Sequence, residues 1–240
     1  MKKISILFIA LGLAACGDEA GTVTLEGLLQ AVQQGFLVPV DPAPTVAVVG
    51  RNADEFTTIV SSTVAGDQVS FRIKNLPKAQ DLVFRTSGSG LETVISFPVS
   101  TSSETVQSLP ILIAGSIGAF IALAEDDAGI NIDVDTSLGI VAGVVAPTFG
   151  NGVVSTGGPV VSVRMVQKNE DIEISYMGPY YFDSGGNLVD SGSCPDTECN
   201  YIFFDVPEGA YRFQQLGTGE QVLDEKDVVV LASQMTFGME

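Results

Sequence analysis

The sequence predicts a mainly β protein in which two small antiparallel β-sandwiches are joined by a short amphipathic helix. Three observations carry this reading. Apolar and polar residues alternate over short runs, the period of a half-buried strand. Glycine, proline, asparagine and aspartate punctuate those runs at short, regular intervals. One stretch alone carries helical spacing.

The chain opens on Met1-Lys2-Lys3, a positive start, followed by an apolar run from Ile4 to Gly12 and then small residues. This is the layout of a secretory leader. A membrane-spanning helix needs about twenty apolar residues, so the run is too short to span. Leu13-Ala14-Ala15-Cys16 resembles the lipobox of bacterial lipoproteins. That resemblance implies cleavage after Ala15 and acyl chains on Cys16, and two or three chains give a stable membrane anchor where one is marginal. Gly17 stands where an aspartate tends to retain such proteins in the inner membrane, so the resemblance implies the outer membrane of the cell envelope.

Residues 1–15 are thus read as leader, 16–40 as tether and entry segment, 41–114 as the first sandwich, 115–136 as a helix with an acidic linker, and 137–240 as the second sandwich. Val69, Phe71 and Ile73 face one way and Ser70, Arg72 and Lys74 the other. In the helical stretch Ile117, Phe120, Ile121 and Ala124 fall at i, i+3, i+4 and i+7, with Ser116 as N-cap and Gly129 as the stop. Val161, Val163 and Met165 then alternate with Ser162 and Arg164. Further short runs follow to the end of the chain. Phe71, Ile73, Leu76 and Pro77 share their spacing with Tyr201, Phe203, Val206 and Pro207, a faint echo that favours two similar units.

Composition excludes several activities. Two of the eleven basic residues precede Cys16 and all 29 acidic ones follow it, so the chain beyond the leader carries a net charge near −20. Nucleic-acid binding depends on neutralising phosphates, so it is not expected. The chain has no histidine, which removes Ser-His-Asp and Cys-His catalysis and most zinc sites. A hydrolase using carboxylates alone stays open, although no pair is singled out.

Cys194 and Cys199 flank a Pro-Asp turn and read as a local disulfide in an oxidising compartment, with a two-thiolate metal site as the rival. Asp126, Asp127, Asn131, Asp133 and Asp135 offer alternating oxygen ligands of the kind calcium takes, the one cofactor the sequence suggests. The glycine and closing glutamate of a calcium loop are missing, and the rival reading is a solvated linker. Tyr176, Tyr180 and Tyr181 form, with Phe182, the densest aromatic group, and the tyrosines are the candidates for stacking on a sugar ring. Neighbours in a strand point to opposite faces, so at least one of Tyr180 and Tyr181 belongs to the core. The stretch Asp183 to Asn187 reads as a hairpin turn.

The second half carries a further resemblance. Gly139 to Val145, the run GPVVSVRMV, the run YYFDSGGN and above all Val206-Pro207-Glu208-Gly209-Ala210-Tyr211 resemble the carboxypeptidase regulatory-like domain, a small transthyretin-like β-sandwich. The long segment before the GPVVSVRMV run and the CPDTEC segment depart from that pattern. The resemblance implies an immunoglobulin- or transthyretin-like sandwich acting as a non-catalytic accessory module. The expected function is therefore a lipid-anchored envelope protein that binds or scaffolds, its partners being the membrane and an envelope protein or glycan. A glycan-binding or adhesive surface lipoprotein is the alternative.

Overall fold

The computed structural model describes residues 21–31, 43–61, 69–102, 107–126, 130–145, 160–168, 176–194 and 199–239. The expected leader and Cys16, with Asp127 and Gly129, lie outside these. In the first half the strands are β1 (Thr22–Ala31), β2 (Thr45–Val48), β3 (Thr57–Ser61), β4 (Val69–Pro77), β5 (Asp81–Leu82), β6 (Phe84–Ser87), β7 (Leu91–Glu92), β8 (Val94–Ser96), β9 (Val99–Ser100) and β10 (Gln107–Ile113). Helix α1 (Ser116–Asp126) follows. The second half contains β11 (Gly139–Val145), β12 (Ser162–Gln167), β13 (Met177–Phe182), β14 (Leu188–Val189), β15 (Cys199–Val206), β16 (Gly209–Leu216), β17 (Val222–Val230) and β18 (Met235–Met239). The protein is mainly β and built of packed sheets, as the alternation predicts.

Within each half the described strands repeat one pairing order. One sheet of the first half runs β3-β4-β1-β10, and β13-β15-β11-β18 is its counterpart in the second. In both, the first strand is antiparallel to one neighbour and parallel to the last strand of its half. The facing layers also match, β2-β6-β8 in the first half and β12-β16-β17 in the second, with every pairing antiparallel. The expectation of purely antiparallel sheets is therefore corrected. The last strand of each half returns beside the first after passing through the other layer, and that long crossover permits a parallel neighbour.

The halves share backbone as well as α1. β18 pairs in parallel with β8, Met235 with Val94 and Phe237 with Ser96, so one eight-stranded sheet runs β14-β13-β15-β11-β18-β8-β6-β2. Ile140, Met235 and Val94 lie in register across it and face α1, whose Ile117, Phe120, Ile121 and Ala124 cover them. Val141 and Val145 face the other way, into a core with Val163, Met165, Phe213 and Val228. β11 is thus covered on both faces, which explains the unbroken apolar run Gly139 to Val145. The first half buries Leu25, Phe71, Ile73, Leu76 and Phe84 between its own two layers.

The corner after β15 has a specific clip. β15 ends at Val206 in the long sheet and β16 begins at Gly209 in the three-stranded sheet, so the chain changes layer within three residues. Tyr211 donates its hydroxyl to the carbonyl of Pro207 at 2.7 Å, tying the strand start back to the bend. Removing that hydroxyl with Tyr211→Phe is expected to cost about 1 kcal/mol, the net worth of a part-buried hydrogen bond. The urea midpoint of the variant at unchanged slope checks this.

Candidate functional site

The three tyrosines singled out by sequence divide between two faces. Tyr181 points into the sandwich core and is wholly buried, and its hydroxyl accepts the N–H of Val163 at 3.2 Å. Tyr176 lies edge-on to Phe203 with ring centres 5.1 Å apart, and its hydroxyl accepts the N–H of Met165 at 3.3 Å and donates to that residue's carbonyl at 3.2 Å. Both hydroxyls therefore satisfy the outer edge of β12, the edge strand of its sheet, in place of another strand. Tyr180 points the other way, toward the α1 side, against Phe204.

These residues nonetheless border a common groove. Arg164, Tyr176, Gly178, Tyr180, Asp190 and Gly192 line a space of about 270 Å³ beside β12, with Tyr181 beneath it. Arg164 is steered there by its Nε donating to Gln214 Oε1 at 2.6 Å. Burial holds the Tyr180 hydroxyl above the ordinary phenol range, and the negative charges of Asp190 and Asp205 push it the same way. The groove offers the half-buried Tyr176 ring, a guanidinium and a carboxylate, a set able to hold a small polyhydroxylated ligand. The turn below it, Asp183 to Asn187, closes the β13–β14 hairpin, and the Asp183 carboxylate accepts the N–H groups of Gly185 and Asn187 at 2.9 and 2.8 Å.

Burial also raises the Tyr181 and Tyr211 hydroxyls. A tyrosine that ionises less readily folded than unfolded stabilises the fold fully below the unfolded value near 10 and loses that contribution as pH rises beyond it through the raised folded value. The carboxyls of Asp135 and Asp183 are held low by hydrogen bonds from Ser137 and Asn187, so their contribution disappears only as pH falls below about 4. With no histidine to titrate between, the urea midpoint is expected to be flat from about pH 6 to 9 and to fall above about 10. Unfolding curves across that range test it.

The acidic segment behind α1 is an alternating stretch. Ile130, Ile132 and Val134 pack onto the long sheet, while Asn131, Asp133 and Asp135 face solvent. Asp135 is engaged locally: its N–H donates to Asp205 Oδ1 at 2.8 Å and its carboxylate accepts the N–H of Ser137 at 2.9 Å. Asp126 ends α1 and is exposed. Among the described residues no three His, Cys, Asp or Glu side chains are grouped to hold a metal ion. A row of alternating side chains spreads oxygen ligands along a line instead of wrapping them around an ion.

Cys194 and Cys199 form a disulfide with Cα atoms 5.1 Å apart, leaving no thiolates for the rival metal reading. Cys199 is buried at the start of β15, and the N–H of Cys194 donates to the carbonyl of Val161 at 2.7 Å. The bridge thus ties the start of β15 to Cys194, whose N–H is bonded to Val161 just before β12. Reduction is expected to lower stability by about 2 kcal/mol on the chain-entropy account. Urea unfolding with and without a phosphine reductant measures it.

A second concavity lies where the halves meet and was not legible in the sequence. Asp81, Phe97, Val99, Ser108, Glu225 and Asp227 border a cleft of about 580 Å³. Its far wall is β17. Glu225 accepts from Gln214 Nε2 at 2.5 Å and lies 3.6 Å from Arg212, while Asp227 pairs with Lys168. Alternation could not reveal it, because its walls come from strands more than a hundred residues apart. No helix among the described residues is long and apolar enough to cross a membrane. No family model matches the chain, and no match was found among curated proteins.

Proposed function

We propose that this protein is a lipid-anchored component of a bacterial envelope, tethered at Cys16, in which two transthyretin-like sandwiches act as a binding or structural module without turnover. The observation that carries the reading is the Cys194–Cys199 disulfide, which fits an oxidising compartment beyond the cytoplasm and agrees with the lipobox-like Leu13-Ala14-Ala15-Cys16. The matched pairing order of the two halves supports a tandem of similar sandwiches. The Pro207–Tyr211 corner supports the likeness to carboxypeptidase regulatory-like domains.

Growth with a palmitate analogue tests the anchor: the wild-type protein takes up label and sediments with membranes, whereas Cys16→Ser does neither. Equal labelling of the two would end the lipoprotein reading. Protease treatment of intact cells, against a periplasmic control, then separates an outward from an inward orientation in the outer membrane.

The groove beside Tyr176 and Tyr180 favours a second reading, a glycan-binding surface lipoprotein. Sugars that bind there should perturb tyrosine fluorescence, and the response should be lost in Arg164→Ala. A panel of envelope sugars that leaves the fluorescence unchanged removes this reading.

A further inference from the structure

The two edges of the three-stranded sheet are finished differently. β12 is closed by the hydroxyls of Tyr176 and Tyr181. β17, at the other edge, pairs Val228 with Tyr211, Lys226 with Phe213 and Asp224 with Gln215. The N–H of Lys168 donates to the carbonyl of Ala210, so even-numbered residues of β16 turn toward β12 and odd-numbered ones toward β17. In an antiparallel ladder the groups of directly opposed residues point at each other or away together. Glu225, Asp227 and Val229 consequently turn their N–H and carbonyl groups away from β16. The Val229 carbonyl accepts the Thr236 hydroxyl at 3.0 Å. No described strand pairs with the rest of that edge.

Space and precedent both lie beside it. The cleft of about 580 Å³ runs along Glu225 to Asp227, room for several residues of extended chain at about 3.3 Å each. β8, the counterpart of β17 in the first half, has its open edge filled by β18 in parallel. By the same logic a second copy would offer β10, the counterpart of β18, but Pro110 interrupts that strand's donors and β7 covers its last residues. Like charge also opposes a second copy, since the chain carries −18. Asp81, Glu225 and Asp227 border the cleft, Glu225 and Asp227 in solvent-accessible pairs with Arg212 and Lys168 that a competing cation can replace, and with the chain's net charge of −18 this favours a cationic strand.

We propose that the open edge of β17 takes up, by strand addition, an extended lysine- or arginine-bearing segment of a partner protein. This goes beyond the anchored-module reading and holds whether or not Cys16 is acylated. Main-chain hydrogen bonds to Glu225 and Asp227 supply the affinity, and the bordering carboxylates with the chain's overall negative charge select basic side chains at alternate positions.

The test uses the full chain and the probe peptide Ac-Lys-Val-Lys-Val-Lys-Val-Lys-NH2. Without peptide, the amides of Glu225 and Asp227 should exchange with solvent at least tenfold faster than those of Lys226 and Val228. With peptide they should slow at least tenfold, while Val163 and Met165 are unchanged. Asp227→Pro deletes an N–H that makes no ladder bond, and should keep the fold and weaken binding at least tenfold. Two peptides N-methylated on alternate residues give a readout independent of any variant: one should bind and the other should not. Equal binding of both would mean simple charge attraction and overturn the proposal. So would 225 and 227 amides already as slow as their neighbours in the free protein.

Discussion

Replacing Gly143 by valine is expected to destabilise the protein by about 4 kcal/mol, above the usual range for overpacking because backbone is one of the obstacles. A Cβ at this position would stand 2.4 Å from the Tyr201 hydroxyl and 2.6 Å from the carbonyl of Gly238. The tyrosine could swing aside, but the carbonyl belongs to β18, whose pairing holds both β11 and β8. Gly143 and Gly238 are partners across the ladder and leave a trough in the long sheet. Tyr201 leans over one glycine and Phe97 over the other, where a Cβ on Gly238 would meet the Phe97 ring at 2.8 Å. Phe213 of the facing sheet stacks on Tyr201 at 4.9 Å and meets Phe97 edge-on at 5.2 Å. Rings lying over paired glycines recover the contacts that absent side chains would have made. The check is the urea midpoint of Gly143→Ala and Gly143→Val against Gly118→Ala. Gly118 sits in α1 with nothing within 4 Å of an added Cβ, so that control should gain about 0.5–1 kcal/mol. If all three variants shifted alike, the trough would have no structural role.

What the sequence could reveal follows from range. Alternation at Val69, Phe71 and Ile73, and at Val163 and Met165, is local, and all five side chains are buried. The spacing of Ile117, Phe120, Ile121 and Ala124 likewise defined the face that α1 turns to the long sheet. The tyrosines were legible in part: alternation required one of Tyr180 and Tyr181 to be core, and Tyr181 is. That hydroxyls would serve β12 depended on a strand pairing no period encodes. The final run from Asp227 to Phe237 reads as one strand, yet it divides between two sheets. The chain turns at residues 231–234, where Ser233 takes φ 56° and the Gln234 N–H donates to the Leu231 carbonyl. β8 is three residues long, too short for its period to announce that it joins the two halves.

That junction sets the last expectation. Phe97 follows β8 in the first half, but its ring belongs to the core of the second, beside Val141, Tyr201 and Phe213. Its N–H donates to the Phe237 carbonyl at 3.1 Å, extending the β8–β18 ladder by one bond. Phe97→Ala should therefore cost about 3–4 kcal/mol as a core truncation. It should also do something an ordinary truncation does not. Three parallel residue pairs and this ring hold the long sheet continuous across the halves, so without the ring the halves are expected to unfold separately, with a shallower or split urea transition. Phe84→Ala is the matched control, because Phe84 is wholly buried within the first half's own core. It should cost a similar amount with the slope retained. A slope equally unchanged in both variants would place the coupling elsewhere, in α1 and the contacts it makes with the long sheet. A slope lost only in Phe97→Ala would make the chain one cooperative unit by virtue of a single ring crossing between its two cores.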